Sequence, residues 1–281
     1  MSRARARDTL YTLRFARPGA RHQGVEPVSS PQILRWFRSD LIDILYQDEQ
    51  FVAVNKRSGL VVHPTKLAPD AVAVLPSLRK QLGRYVYPVH RIDRGTSGIV
   101  LFGLDSDAAA QMGELMRSRE VDKQYLAVVR GYVDDHGRID YAIEDSEKAN
   151  GKLDSVTEYS CERQVEVPYA VGRYETARYS LVNTRLITGR RHQIRKHFAH
   201  LRHPVIGDST YGDGDHNRLY RQAFRCGRLL LMASSLRFKH PYTNEPVHVT
   251  CPIPKRIERL FERFGWFDVP LYRDEPATVV E

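Results

Sequence analysis

The order of its apolar segments limits what this chain can fold into. Apolar runs or alternations at Leu41–Tyr46, Phe51–Asn55, Ser97–Leu104, Gln124–Val129, Ser155–Cys161, Ala177–Ile187, Leu229–Met232 and Pro246–Thr250 read as β-strands. Helical spacing runs through Ala71–Leu82, Ser106–Arg119, His192–His200 and Lys255–Phe264. Strand repeatedly follows strand with no helical segment between them. Parallel neighbours need long crossovers, usually through a helix, so a doubly wound parallel sheet does not fit this order. The expected class is α+β, a mixed and mainly antiparallel β-sheet with flanking helices. No repeat of fixed period and no low-complexity tract interrupts it.

Composition sets the remaining bounds. A chain of 281 residues with 42% hydrophobic and 27% charged residues can bury a core. No run approaches the ~18 apolar residues of a membrane span, and the start lacks the apolar stretch of a secretory signal. Cys161, Cys226 and Cys251 are an odd set without CxxC spacing, which suits free thiols in a reducing cytoplasm better than a disulfide frame or a zinc site. Forty-three Lys and Arg against 34 Asp and Glu leave a net charge of +9, and such an excess invites a polyanion such as nucleic acid. Residues 1–40 hold eight Arg and three acids, hence +5, and read as a flexible basic leader: a solvated tail, an RNA-gripping arm or a transit peptide, the last opposed by Asp8 and Glu26. Residues 41–268 are expected to form one domain, with 269–281 as a frayed tail.

Two segments concentrate chemistry. From Thr188 to His203 lie Arg190, Arg191, Arg195, Lys196 and Arg202, four His and no acid. At 100° per residue Ile194, Phe198 and Leu201 form an apolar stripe, with Arg191, Arg195 and Arg202 along its edge, where a guanidinium can reach a walled cleft. The second segment, His90-Arg91-Ile92-Asp93-Arg94-Gly95-Thr96-Ser97-Gly98, flanks one carboxylate with two guanidinia and supplies two glycines for a sharp turn. Taken alone, Asp93 could equally be a turn residue capping its own loop.

With these segments the chain resembles the RluA-type pseudouridine synthases from about Leu41 to Phe267. His90-Arg91-Ile92-Asp93 with Thr96-Ser97-Gly98 is similar to the HRLDxxTSG signature, with Ile in place of Leu. Val54-Asn55-Lys56, Ser58-Gly59 and Val62-His63-Pro64 match VNKPSG…VHP, with Arg57 in place of Pro. Lys123-Gln124-Tyr125 with Val129 and Gly131 matches KxYxAxVxG, and Thr188-Gly189-Arg190 through Arg195, His203-Pro204 and Gly207-Asp208 match TGRxHQIR…HPxxGD. Arg202-His203-Pro204, the loop Gly212 to Asn217 and Phe264-Gly265-Trp266 most resemble the TruC branch, which acts on uridine 65 of tRNA.

The resemblance implies a pseudouridine synthase catalytic domain with a central RNA-binding cleft. It implies isomerisation of a uridine in structured RNA, most simply tRNA, by a cytoplasmic protein, with a monomer favoured and without cofactor or metal. Asp93 carries over as the catalytic carboxylate, Arg195 as the cation that keeps it ionised, and Tyr125 as the ring that stacks on uracil. A stacked nucleotide must flip out to react; Arg91, with His90 beside it, would meet the RNA there. Arg190, Arg191, Lys196 and Arg202 would hold phosphates. The same reaction on large-subunit ribosomal RNA, and a catalytically silent RNA-binding protein, are the alternatives. Other chemistries fit poorly. His197, His200 and His203 lack an acid to complete a metal site, and Asp213-x-Asp215-x-Asn217 has Arg218 where a calcium loop needs Gly. Ser97, His90 and Asp93 lack a nucleophile elbow.

Overall fold

A computed structural model describes residues 41–64, 71–144 and 151–274; the expected leader at 1–40 lies outside them. In chain order the described elements are β1 (Asp43–Gln47), β2 (Phe51–Lys56), α1 (Val74–Leu82), β3 (Tyr87–Pro88), β4 (Ser97–Gly103), α2 (Ser106–Arg117), β5 (Asp122–Arg130), β6 (His136–Asp140), β7 (Ile143–Glu144), β8 (Lys152–Leu153), β9 (Val156–Val167), β10 (Ala177–Leu186), α3 (Gln193–His200), α4 (Gly214–Ala223), β11 (Leu231–Lys239), β12 (Pro246–Thr250) and α5 (Lys255–Arg263). Ten strands join one sheet in the order β1-β2-β4-β11-β5-β10-β9-β6, with β12 on β11 and β3 on β4; β7 and β8 form a separate pair. Among the named strands every pairing is antiparallel except β4 with β11, which meet in parallel at Ser97–Met232 and Gly98–Ala233. This is the mixed, mainly antiparallel α+β architecture expected from the order of apolar segments.

The strand period of two gives the sheet two apolar faces. Tyr125, Ala127 and Val129 of β5 join a core with Val54, Leu101, Val74 of α1, Met112 of α2 and Phe198 of α3. Val128, between them, points the other way and packs with Leu181, Tyr179, Tyr220 of α4 and Phe261 of α5. Strand β4 is buried along its whole length, which is why its sequence reads as a continuous apolar run. None of the helices among the described residues is long and apolar enough to cross a membrane. The three cysteines are free thiols.

Several elements depart from expectation for identifiable reasons. Strand β11 continues past Met232 because the polar Ser234 and Ser235 are satisfied inside the sheet, Ser234 donating to the Gln124 carbonyl (3.2 Å) and Ser235 meeting His248 Nε2 (2.9 Å) beside a bulge. Helix α4 replaces what looked like a loop: Asp213 caps it, accepting from the amides of Asp215 and His216, and it buries one large side chain, Tyr220. Edge strand β6 buries only Ile139, too little to show as a pattern. The tail expected to fray from 269 is held as far as Asp274. Arg273 pairs with the buried Glu162, and its backbone N–H and carbonyl bond the Gln124 amide at 2.9 and 2.8 Å.

Gly98 makes the parallel contact possible. Its φ of +108° suits glycine, and a Cβ there would lie 2.1 Å from the Ala233 carbonyl oxygen. Gly98→Ala should therefore cost more than about 3 kcal/mol in urea unfolding. Gly214→Ala is the control, since a Cβ meets nothing within 4 Å there; it should be neutral or stabilising by up to ~1 kcal/mol.

Candidate active site

The turn bearing Asp93 is fastened to the end of β2 from several directions. Lys56, fully buried, donates Nζ to the carbonyls of Leu60 (2.6 Å), Arg94 (3.2 Å) and Arg57 (3.3 Å). The Gly59 amide donates to the Arg94 carbonyl (2.8 Å), Ser58 Oγ to the Gly95 carbonyl (2.6 Å), and Arg94 Nε to the Gly59 carbonyl (3.0 Å). These bonds hold the turn despite Arg57 in place of Pro. Burial lowers the Lys56 pKa to about 7 against the opposing pull of Asp93. The Asp93 turn is closed by its backbone, Thr96 N–H to Asp93 carbonyl at 3.1 Å, leaving the carboxylate free to face outward from its own loop.

That carboxylate meets helix α3. Asp93 and Arg195, 102 positions apart, join through Arg195 Nη1 to Asp93 Oδ2 at 3.1 Å. The same guanidinium is gripped side-on by Asp208, Nε to Oδ2 at 2.7 Å and Nη2 to Oδ1 at 2.8 Å, a two-bond geometry that lysine cannot make. Asp208 is in turn held by the amides of Thr210 (2.8 Å) and Tyr211 (3.1 Å). Burial works to raise the Asp208 pKa, but Arg195 and these amides outweigh it and hold the carboxyl below its usual range. Burial likewise opposes the charge on Arg195, and its two carboxylate partners reverse the balance, keeping it firmly protonated. The Tyr211 ring centroid lies 5.2 Å from the guanidinium, and Tyr211 Oη pairs with His192 Nδ1 at 3.1 Å. His192 Nε2 lies 3.7 Å from Asp93 Oδ1; burial favours its neutral form.

The entry to α3 is locked by Gln193. Its Oε1 accepts from Thr188 Oγ1 (2.8 Å) and the Arg190 amide (3.0 Å), and its Nε2 donates to the Val156 carbonyl and Thr157 Oγ1, both at 2.9 Å. His192, just before the helix, takes the left-handed conformation, φ 58°. Of the three arginines read as one helical edge, only Arg195 belongs to α3. Arg191 precedes the helix and Arg202 follows it with φ 61°, so neither shares the helical wheel. The apolar stripe itself holds, with Ile194 and Phe198 buried and Leu201 packed against the core.

A cleft of about 450 Å³ opens over Asp93. His90, Arg91, Thr96, Lys123, Tyr125, Arg190, His192 and Arg195 are among its walls; Arg191, Lys196 and Arg202 stand outside it. Tyr125 is buried, fixed in β5 between Thr184 of β10 and Ala233 of β11. Its hydroxyl has no hydrogen-bond partner among the described residues, and burial, then the charge of Asp93, raise its pKa, so it stands neutral. Thr96 Oγ1 is buried and likewise unpartnered. His90 accepts the Leu101 amide on Nε2 at 3.1 Å, and burial pushes its pKa down to about 4. Its neutral ring therefore braces the wall. Arg91 is exposed and its side chain makes no hydrogen bond or ion pair among the described residues. Lys196 Nζ reaches the Glu144 carbonyl at 3.3 Å and Arg190 Nε the Asp154 carbonyl at 3.4 Å.

The helix histidines part company. His197 Nε2 meets the Tyr141 carbonyl at 3.0 Å, His200 stacks on the Tyr141 ring at 3.6 Å, and His203 Nδ1 meets the Arg130 carbonyl at 2.7 Å. No cluster of metal-ligating side chains occurs among the described residues. Reading the sequence assigned no role to Asp208, His192, Tyr211 or Lys56. Gly207-Asp208 was visible as a motif, and an acid-free cationic segment with a buried arginine calls for an acid from elsewhere; that was the available signal.

Asp208→Asn keeps an oxygen for the loop amides but turns an NH2 toward Arg195 Nε. Leaving a buried guanidinium half-paired should cost about 3–5 kcal/mol at pH 7. Because the folded-state Asp208 pKa is depressed, the stability it brings is present above ~4 and lost as pH falls through the folded value. The gap between parent and variant in denaturant unfolding should therefore narrow below about pH 4; a constant gap would contradict the pairing.

Residues 50–200 match the RNA pseudouridylate synthase family. The chain is 44% identical over 236 residues to a Vibrio vulnificus protein named tRNA pseudouridine synthase C, covering 80% of this chain and 96% of that one. A Yersinia pestis protein of the same name is 46% identical over 236 residues, covering 80% and 92%. Among solved structures, human RNA pseudouridylate synthase domain containing 4 superposes with a TM-score of 0.61 at 25% identity, covering 83% of this chain and 96% of its own. The chain belongs to the RluA-type RNA pseudouridylate synthase family, and its enzymatic activity is that of a pseudouridine synthase.

Proposed function

We propose that this pseudouridine synthase isomerises uridine 65 of tRNA in the cytoplasm, with Asp93 as its catalytic carboxylate and with no cofactor. The observation that carries the reading is the meeting of the Asp93 carboxylate, the Arg195 guanidinium at 3.1 Å and the Tyr125 ring in one cleft. The relatives named for tRNA, matched over nearly their full length, support tRNA as the substrate.

The reaction cuts the C–N glycosidic bond, turns the uracil and rejoins it through C5. It is redox-neutral, and the C5 proton is its one net departure before the N1 proton is gained. A standing negative charge is needed as nucleophile or base, and Arg195 sets its guanidinium 3.1 Å from the Asp93 carboxylate. Tyr125 offers a ring face to the uracil and a neutral hydroxyl close to the carboxylate. The cleft is of a size to take a flipped nucleotide. Arg91, unpaired at its rim, is placed to fill the vacated stack, a role suited to a planar guanidinium. Arg190 at the rim and Arg191, Lys196 and Arg202 outside hold the phosphates, and His90 shapes the wall beside Arg91.

Asp93→Asn preserves size and a hydrogen-bonding oxygen but removes the charge. It should bind tRNA and lose at least about a thousandfold of tritium release from RNA labelled at uracil C5. Activity within tenfold of the parent would sink the role. Tyr125→Phe keeps the stacking face and should retain binding while turnover falls by roughly 100-fold. Unchanged turnover would confine Tyr125 to packing. Pseudouridine mapping in tRNA with and without the protein checks the target nucleotide.

A further inference from the structure

A second acid-free stretch lies outside the cleft. Between Ala71 and Ile92 the chain carries Arg79, Lys80, Arg84 and Arg91 and no Asp or Glu. The first three gather at the end of α1 around a groove of about 420 Å³ lined by Arg79, Lys80, Gly83, Arg84 and Tyr85. Some other exposed arginines have a carboxylate neighbour, as in Arg117–Glu114, Arg178–Glu166 and Arg218–Asp215. Here none of the three cations pairs with a carboxylate among the described residues. Two are fixed without being neutralised: Arg79 Nη2 donates to the Val86 carbonyl at 2.9 Å and Arg84 Nη2 to the Leu104 carbonyl at 3.0 Å.

The aromatic partner is equally out of place for a solvated helix end. Tyr85 is 71% exposed, and the Arg79 guanidinium lies 4.9 Å from its ring centroid. The helix dipole explains cations in the last turn, Arg79 and Lys80. It explains neither Arg84 beyond the cap nor a bare tyrosine ring. Held cations beside an open aromatic face suit a phosphate backbone with one unstacked base. The stretch also runs directly into the cleft: Tyr85 is eight positions from Asp93, at most about 28 Å along the chain, less than the ~34 Å of one duplex turn.

We infer that the surface formed by Arg79, Lys80, Arg84 and Tyr85 is a second docking site for the substrate RNA, binding a part of it remote from the target uridine. The inference rests on RNA being the substrate. Its occupant is the sugar-phosphate backbone with a base against Tyr85, so it discriminates whole RNAs by size and shape, while the cleft discriminates the nucleotide.

The test uses exposed positions, so that folding is spared: Lys80→Glu with Arg84→Glu, and separately Tyr85→Ala. Equilibrium binding and turnover are measured on full-length tRNA and on a minimal hairpin carrying the target uridine, each at two salt concentrations. The double variant should weaken tRNA binding at least tenfold and reduce the salt slope by about 1.4–1.8, the share of two phosphate contacts, with the hairpin changed less than twofold. Tyr85→Ala should weaken tRNA binding with the salt slope kept. Unchanged tRNA binding, or an equal loss on both RNAs, overturns the docking site. A parent that binds tRNA through this surface yet makes no pseudouridine overturns the proposed function and leaves the surface standing; a parent that binds no RNA overturns both.

Discussion

One guanidinium shared between two carboxylates organises the site. Arg195 spends its two-bond edge on Asp208 and its remaining terminal nitrogen on Asp93. The planar fork makes this more than charge balance: once Asp208 fixes the edge, the direction of the third N–H is set, and Asp93 is met from a defined angle. Two segments without covalent neighbourhood, the turn before β4 and the loop after α3, are thereby placed against each other. The supports continue outward, since Asn217 of α4 bonds the Gly207 amide at 2.6 Å and the Asp208 carbonyl at 2.8 Å. A helix that contributes nothing to the cleft wall thus determines where Asp208, and through it Arg195, can stand.

The sheet delivers the other half of the geometry. Gly98 allows β4 to run against β11, and the turn that precedes β4 then falls beside the Tyr125 end of β5. Tyr125 faces the cleft, while its neighbour Gln124 faces the opposite side and is tied to the backbone of Arg273. The period of two along a strand lets Arg273 brace β5 from the side opposite the cleft. Rigid supports on both sides matter for chemistry in which a base must be turned and rejoined within its pocket, because small displacements of a reacting group carry large rate penalties.

What could be read from the sequence follows from how local each signal is. Strands β2, β4 and β10 and helices α2 and α5 carry their period within a few residues, and they lie within a residue or two of where the patterns put them. Helix α4 was illegible because Tyr220 is its one fully buried side chain, with Leu219 and Ala223 only partly buried, and its cap residue Asp213 looks like any loop acid. Strand β11 hid behind two serines whose partners, Gln124 and His248, are supplied by neighbouring strands. At the site, the residue types of Asp93, Tyr125 and Arg195 were legible from motifs, whereas the alignment of Arg191 and Arg202 with Arg195 failed because an ideal helix was extended past both of its ends. The bracket formed by Lys56, Ser58 and Gly59 depends on carbonyls of a turn 35 to 38 positions away, which no local pattern can announce.

Burial sorts charge across the cleft in a way that suits a neutral base on an anionic chain. Desolvation drives His90 to its neutral form and keeps the Tyr125 hydroxyl protonated, so both present uncharged groups to the cleft. At Asp93, Arg195 and Asp208 the charges are paired with one another. Lys56 lies beneath this group with carbonyls as its acceptors and a pKa of about 7, so the cation under the Asp93 turn is retained in part by the negative charge above it. Arg228, also lowered by burial, adds a second cation there, its Nη2 bonded to Ser97 Oγ. Arg195 meets Asp93 from the side, at 3.1 Å.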